Sequence, residues 1–383
     1  MRTQLFQKII SVILKDNKEI IENCKEDQNS RKIFLFDFIK IISFTFIKLI
    51  GSLRLTVTEL QNNTLGIKNI PFSTLKDCFS RFNYETFRTI FLNLVSTLSL
   101  IAVPELALFG KICLVDGSIF PVSIRVDWAF FRKEKRAVKL HLVWNLNNML
   151  VEDMSITHAK ENERKVLKTF IRSAVTYIID RGYVSFNLFS SIISNNAHFV
   201  CRLKKTALYK VIENKTIVLK SGKQIKDMLV FFHNSKDKQV YRLIQFKLFK
   251  KRFLLLTDRK DIKAEEIIML YASRWQIELV FRFMKRTLKG IHIYNESENG
   301  LYIQFYMIAI ISLLLMALKQ ECLQKSGYCV QPIILSDLLD NPVTVYGKRL
   351  KQFWKIGIHW ITKLIRLLDS PFNSQTIKEL ASC

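Results

Sequence analysis

The sequence predicts an α/β core interrupted by a basic, β-rich segment and flanked by helical regions at both ends. Three observations predict it. The short continuous apolar runs Ile112–Val115 and Val175–Ile179 have the pattern of strands buried on both faces. Before and after the core, apolar residues recur at three- and four-residue spacings, as in Leu5, Ile9, Ile10 and Ile13. Between residues 204 and 257, short β-prone runs alternate with turn residues.

Composition narrows the function. The chain has 383 residues, enough for two to three domains at about 150 residues each. Hydrophobic residues make up 49%, while Gly (11) and Pro (6) are scarce, which excludes disordered, collagen-like and low-complexity chains. The net charge of +26 points to a polyanion, either nucleic acid or an anionic membrane surface. The seven cysteines include no Cys-x-x-Cys pair, so a disulfide framework and a zinc ribbon are not expected, and reduced cytosolic thiols are the simplest reading. Met1 to Lys8 lacks the apolar run of a signal peptide.

Residues 1–108 read as helical, with a loose helix-turn-helix outline over Thr56–Leu65, Ile67–Pro71 and Phe72–Phe82. Asn62-Asn63 and Gly66 punctuate that stretch, and an ordinary helical hairpin fits it equally well. From Lys111 the pattern changes to strands over Ile112–Val115, Ile119–Ile124, Lys139–Trp144 and Leu150–Ile156, with a turn at Asn145–Asn148. A helix over Glu161–Ile171, a strand over Val175–Ile179, a helix over Val184–Ile193 and a strand over Phe199–Leu203 follow. In the β-rich segment the candidate strands are Tyr209–Ile212, Thr216–Leu219, Val240–Phe249 and Phe253–Leu256, with turns at Ser221-Gly222 and His233–Ser235. Residues 201–260 hold 17 Lys and Arg against 4 Asp and Glu, half the net charge of the chain. So large a local excess asks for a polyanion nearby.

A single long helix is expected from Asp261 to about Lys289. The run Leu301–Leu318 then carries 18 residues without a charge. That is close to the ~20 apolar residues that span a bilayer, but a core helix has the same composition, and the core reading is preferred. Residues 321–383 read as helical, apolar and basic, with Trp354 and Trp360.

Three carboxylates stand out by position. Asp116 is expected to end the first buried strand (ICLVD-GS) and Asp180 the later one (TYIID-RGY). Groups at the carboxyl ends of α/β strands face the ligand crevice. The third is Glu278. At about 100° per residue, Tyr271, Arg274, Glu278 and Lys285 share one narrow helical face, with Leu270, Ile277, Phe281, Met284 and Leu288 on the adjacent one. A solvated face with an Arg274–Glu278 ion pair is the competing reading. Three carboxylates without a His/Cys cluster suit hard cations, Mg²⁺ or Mn²⁺. Two such ions ~3.5–4 Å apart clamp the attacking and leaving oxygens of phosphoryl transfer. Arg274 and Lys285 would hold phosphates.

The spacing of Tyr271, Arg274, Glu278 and Lys285, separated by two, three and six residues, resembles the Y-R-E-K signature of DDE transposases of the IS-four type of insertion sequence. LVDGS and IIDRGY resemble that family's first and second Asp boxes, and a β-rich segment between the second Asp and the Glu is a family trait. The resemblance covers roughly residues 55 to 320.

It implies a ribonuclease-H-like core in two parts, 109–203 and 258–320, interrupted by the insertion at 204–257. Region 1–108 would bind DNA ends, and 321–383 is a helical C-terminal region. It implies Asp116, Asp180 and Glu278 as catalytic metal ligands for Mg²⁺ or Mn²⁺, with two ions, and Tyr271, Arg274 and Lys285 as DNA-phosphate contacts. The implied activity is that of an endonuclease and strand transferase acting on double-stranded DNA at inverted-repeat ends and target. A homodimer would form in the synaptic complex, in a bacterial cytoplasm, nucleoid-associated when bound, with no membrane partner. The alternative is a catalytically inactive nucleic-acid-binding relative.

Some relatives stack a flipped base on a Trp of the insertion. Here Trp275 is the only Trp between Asp180 and Glu278, so Phe231, Phe232 and His233 are the candidates in its place. Asp258 ranks behind Asp180 as a ligand, because it lies only 20 residues before Glu278. Asp127 and Asp153 read as surface or turn residues, the six His show no metal spacing, and Arg132–Arg136 reads as a basic hairpin loop.

Overall fold

A computed structural model describes residues 4–29, 32–61, 70–98, 104–132, 135–218, 224–233, 239–248, 251–288, 292–326 and 358–382. The N-terminal region is helical, as expected: α1 (Leu5–Glu22), α2 (Leu35–Ile47), α3 (Leu53–Gln61), α4 (Phe72–Arg81) and α5 (Tyr84–Thr97). Asn83 caps α5 by accepting from the Glu85 amide. Helices α3 and α4 flank the turn of the helix-turn-helix outline, but Asn62-Asn63 and Gly66 lie outside the described residues.

The strands are β1 (Lys111–Val122), β2 (Phe130–Arg132), β3 (Lys135–Asn145), β4 (Leu150–His158), β5 (Val175–Ile179), β6 (His198–Arg202), β7 (Lys210–Val218), β8 (Gln224–Phe231), β9 (Tyr241–Leu248) and β10 (Lys251–Thr257). They form one sheet in the order β2-β3-β1-β5-β6-β10-β9-β8-β7, and β4 also pairs with β3, along the edge opposite β1. The pairs β1–β5 and β5–β6 are parallel, and the other ladders are antiparallel. Helices α6 (Glu163–Thr169) and α7 (Phe186–Ser194) are the crossovers that parallel pairing requires.

Several expectations are corrected here. Ile112–Val115 and Ile119–Ile124 are not two strands but one, β1, which runs through Asp116 to Val122. Its antiparallel partner β3 accompanies it as far as Val122, whereas β5 stops at Leu114, so burial fades from Asp116 onward while the strand does not end. The candidate strands Tyr209–Ile212 and Thr216–Leu219 fall on one strand, β7 (Lys210–Val218), paired with β8, a strand the sequence reading missed; Leu219 lies outside the described residues. The last strand of the β-rich segment, β10, pairs with β6 and continues the central sheet. The turn signals Ser221-Gly222 and Asn234-Ser235, the hairpin tip Lys133-Glu134, and Trp354 lie outside the described residues.

The C-terminal half of the core is α8 (Ala264–Ala272), α9 (Trp275–Arg282), a π turn (Phe283–Thr287) and α10 (Glu298–Lys325). The single helix expected from Asp261 to Lys289 is therefore broken. At Ser273-Arg274 the bonds tighten to an i→i+3 pattern: Arg274 N to Tyr271 O (3.1 Å), Gln276 N to Ser273 O (2.9 Å) and Ile277 N to Arg274 O (3.3 Å). The apolar face is as expected: Leu270, Ile277, Phe281, Met284 and Leu288 are all buried.

Two cores cover the sheet. One joins Ile112, Leu114 and Ile178 to α1, α2, α5 and α8–α10, and the other joins Cys113, Val115, Tyr177 and Ile179 to α6 and α7. The run Leu301–Leu318 is a core helix: 89% of its most apolar 18-residue window is buried inside the protein. It is apolar all round because it is enclosed all round. The short helices α11 (Ile358–Leu367) and α12 (Ser374–Ala381) complete the described chain.

Candidate active site

Strand register brings the two Asp residues together. Leu114 of β1 is the parallel partner of Ile178 of β5, so Asp116 and Asp180, each two residues further on, emerge side by side. Alternation along a strand puts Asp116 on the face of Ile112 and Leu114, and the extended backbone at Asp180 (φ −82°, ψ 169°) continues the Ile178 face. That is the face against which α8–α10 pack. The Asp116 carboxylate accepts from the Gly117 amide at 2.8 Å.

The four-residue face of the α8–α9 segment meets this pair. Tyr271 Oη donates to Asp180 Oδ1 at 3.2 Å. Arg274 Nη2 donates to Glu278 Oε1 at 2.6 Å, and its Nη1 lies 3.7 Å from Asp116 Oδ2. Lys285 Nζ donates to Ser118 Oγ (2.8 Å) and the Ile119 carbonyl (2.5 Å), and lies 4.5 Å from the centre of the Phe120 ring. Asp116, Asp180, Tyr271, Arg274 and Glu278 thus meet, and Lys285 reaches β1 two residues beyond Asp116, although α8 and α9 are separate helices. The Arg274–Glu278 pair that could have marked a plain solvated face is present, but the same guanidinium also reaches Asp116 across the sheet.

The electrostatics are those of crowded carboxylates. Burial pushes Asp116 up to about 6, with Glu163 and Glu278 adding to the rise and the Gly117 amide and Arg274 opposing it. Burial also lifts the Tyr271 phenol well above its ordinary range. Arg274 is raised despite burial, which opposes its charge, because Tyr271, Glu278 and Asp180 surround it. Burial lowers Lys285.

Asp116, Asp180 and Glu278 offer the hard oxygen donors that suit Mg²⁺ or Mn²⁺. As they stand, among the described residues no three His, Cys, Asp or Glu groups are close enough to hold an ion, and a guanidinium bridges two of the carboxylates. The oxygen donor set is of the kind that suits a divalent cation, while Arg274 occupies the space between Asp116 and Glu278.

Sequence reasoning missed two neighbours. Glu163, at the start of α6, pairs with Lys139 Nζ at 3.1 Å and closes on the glycines of both Asp boxes. Tyr183 follows Gly182 and is fully buried. The signal for Tyr183 was present in IIDRGY; nothing local marked Glu163.

The rival Asp258 is committed elsewhere, accepting from the Phe199 amide (2.9 Å) and contacting His198 Nδ1 (2.6 Å). Asp127 is exposed, as expected; Asp153 is not a surface or turn residue but lies within β4, partly buried beside Arg172. Of the proposed stacking residues, Phe232 is buried among Phe186, Tyr209 and Tyr241, and Phe231 packs on His233. A cavity of about 730 Å³ opens beside Asp180, with Arg164, Arg181 and Lys204 on its wall and Phe186, Leu208 and Phe232 lining it.

Residues 108–314 match the transposase DDE domain family. The chain is 29% identical over 210 residues to a putative transposase (y4zB) of Sinorhizobium fredii, covering 53% of this chain and 59% of that protein. It is 24% identical over 265 residues to a putative transposase for insertion sequence element IS4SA of Synechocystis, covering 66% and 74% of the two chains. It is 21% identical over 257 residues to a probable transposase for insertion sequence element IS5377 of Geobacillus stearothermophilus, covering 65% and 68%. Among solved structures, the piggyBac transposase synaptic complex with hairpin DNA aligns at 11% identity and a TM-score of 0.45, over 99% of this chain and 83% of that one. With the family match spanning more than half of its length, the chain belongs to the transposase DDE domain family.

Proposed function

We propose that this protein is a DNA transposase that cleaves phosphodiesters at the inverted-repeat ends of an insertion sequence and joins them to target DNA. The observation that carries the reading is the convergence of Asp116 and Asp180, set side by side by parallel register, with Glu278 on a helix whose Arg274 touches both Asp116 and Glu278. Family membership supports it.

In this reading Asp116, Asp180 and Glu278 hold Mg²⁺ or Mn²⁺, two ions in the reacting complex. The bound ions supply Lewis-acid stabilisation of charge on the attacking and leaving oxygens. The rest is work for the protein's own residues. Arg274 leaves its carboxylates for a DNA phosphate, where its planar fork is matched to two oxygens. Lys285 and the Tyr271 hydroxyl lie on the same face and orient the neighbouring backbone. The basic strands of 204–257 and the cationic wall beside Asp180 track the remaining duplex by charge.

The core, 109–203 with 258–320, takes a ribonuclease-H-like arrangement, and its strand order β4-β3-β1-β5-β6 with flanking helices supports that assignment. Region 1–108 binds the element's ends. Synapsis of two ends makes a homodimer the reacting species, and the bacterial relatives support a cytoplasmic, nucleoid-associated site of action. The test is cleavage of labelled DNA carrying the coding stretch and its flanks, with Mg²⁺ or Mn²⁺, by wild type, Asp180→Asn and Glu278→Gln. Metal-dependent cuts at an inverted-repeat boundary, lost in both variants, are expected. Equal DNA binding by all three proteins with no cut by any would overturn the reading.

A further inference from the structure

Tyr183 presents an anomaly beside the acidic site. Its side chain is 1% exposed, and its hydroxyl is buried with no hydrogen-bond partner among the described residues. Buried phenols normally find one, because an unpaired hydroxyl forfeits its hydration without return. The charges of Glu163, Asp116 and Asp180 disfavour its ionisation beyond the effect of burial.

Local geometry accounts for the placement. Asp180 opens a 3₁₀ turn, Arg181–Tyr183, in which the Tyr183 amide donates to the Asp180 carbonyl at 3.0 Å. Gly117 lets α6 approach closely, since a Cβ there would come within 3.3 Å of Glu163 Oε1, and Glu163 Oε2 also lies at an ordinary contact distance, 3.6 Å, from the Cβ position of Gly182. Glu163 therefore sits between the two Asp boxes, on the side of the sheet opposite α9, held by Lys139. A buried donor without a partner among the described residues, in the turn that follows Asp180, is open to an oxygen that arrives with the ligand.

We propose that Tyr183 is a positioning residue of the acidic site, and that its hydroxyl donates to a water or carboxylate oxygen fixed by Asp116, Asp180 and Glu163 when a divalent cation enters. This rests on the proposed role of Asp116 and Asp180 as cation ligands. Outer hydrogen bonds of this kind hold ligating groups in orientation, and their loss typically costs ~10–100-fold in metal affinity.

The test uses the full chain, with Mn²⁺ as the probe, read by the resonance signal of the free ion and by thermal melting with and without it. Tyr183→Phe removes a hydroxyl that has no partner among the described residues, so without ion the variant is expected to melt at or above wild type. Its Mn²⁺ affinity is expected to fall about tenfold, and Asp180→Asn to lose binding more completely. Wild-type Mn²⁺ affinity in Tyr183→Phe would overturn the proposal, and so would a lower melting temperature without ion, which would show that the hydroxyl is already bonded. Unchanged binding in Asp180→Asn would instead sink the underlying assignment of the cation ligands.

Discussion

Lys285 Nζ lies 2.8 Å from Ser118 Oγ, joining the π turn after α9 to the part of β1 that runs past Asp116. The two residues are 167 positions apart, and the same ammonium also donates to the Ile119 carbonyl. The link fixes the helix that carries Glu278 against the strand that carries Asp116. The contacts to Ser118 and Ile119 make Lys285 a tether, and the proposed function adds a second use for it, as a phosphate contact once DNA binds.

Separating those uses takes two substitutions. Ser118→Ala removes only one acceptor and is expected to cost ~1 kcal/mol of stability, leaving DNA binding unchanged. Lys285→Met is expected to cost ~1–3 kcal/mol and also to lower the salt slope of DNA binding by about one. Melting curves and affinities across a salt series measure both. A Lys285→Met protein with a wild-type salt slope would limit the residue to its tethering role.

Arg274 sets the second prediction. Its guanidinium offsets the mutual repulsion of Asp116 and Glu278, and its side chain is only 18% exposed. Arg274→Gln leaves those carboxylates facing one another and is expected to lower stability by ~2 kcal/mol in the absence of divalent ions. Mg²⁺ should then stabilise the variant more than wild type, since the cation no longer has to displace a guanidinium. Parallel melts with and without Mg²⁺ decide the matter; a variant as stable as wild type without ions would contradict this account.

The candidate site was largely legible in the sequence, and the reasons differ by residue. Asp116 and Asp180 announced themselves because strands buried on both faces read as continuous apolar runs, and each Asp closes such a run. Tyr271, Arg274, Glu278 and Lys285 followed from helical periodicity, which survives the break at Ser273 because one tightened turn shifts the face only slightly. The extension of β1 past Asp116 was not legible, since antiparallel pairing with β3 is a long-range contact with no local mark. Glu163 was hidden for the same reason: only the crossover through α6 brings it to Gly117 and Gly182. β8 escaped because the consecutive charges Lys226 and Asp227 interrupt the apolar pattern of QIKDMLVF, and the pairing of Asp227 with the buried Arg242 has no local mark.

Asp116 gives a pH-dependent prediction. Burial raises its carboxyl from the ordinary 3.8 to about 6, so the folded state favours the protonated form. Its contribution is most favourable below 3.8, declines as pH rises to about 6, and stays lost above that. Asp116→Asn removes this dependence. Relative to wild type without divalent ions, the variant should gain stability progressively between pH 4 and 6 and level off on the order of 2–3 kcal/mol at neutral pH. Denaturant midpoints of the two proteins across that range measure the difference. A flat difference would mean that the carboxylate ionises as freely in the fold as in the unfolded chain.

Arg259 supports the site from the opposite end of the same strands. Its side chain is 8% exposed and uses its donors in three directions: to Asp261 (2.7 and 2.6 Å), to Thr176 Oγ1 at the start of β5 (2.6 Å), and to the Phe109 carbonyl just ahead of β1 (3.2 Å). It thereby clamps the entry of both Asp-bearing strands. Arg259→Met fills the space but strands a buried hydroxyl and a buried carbonyl, at an expected cost of ~3 kcal/mol. Arg259→Lys should recover little of this, because an ammonium cannot reproduce a planar fork that serves Asp261 and Thr176 together. Urea unfolding with an unchanged m-value checks the magnitude, and amide exchange at Thr176–Ile178 should quicken in both variants. A loss under ~1 kcal/mol, or full recovery by Lys, would show that packing around β5, and not the guanidinium, holds the two strands in register.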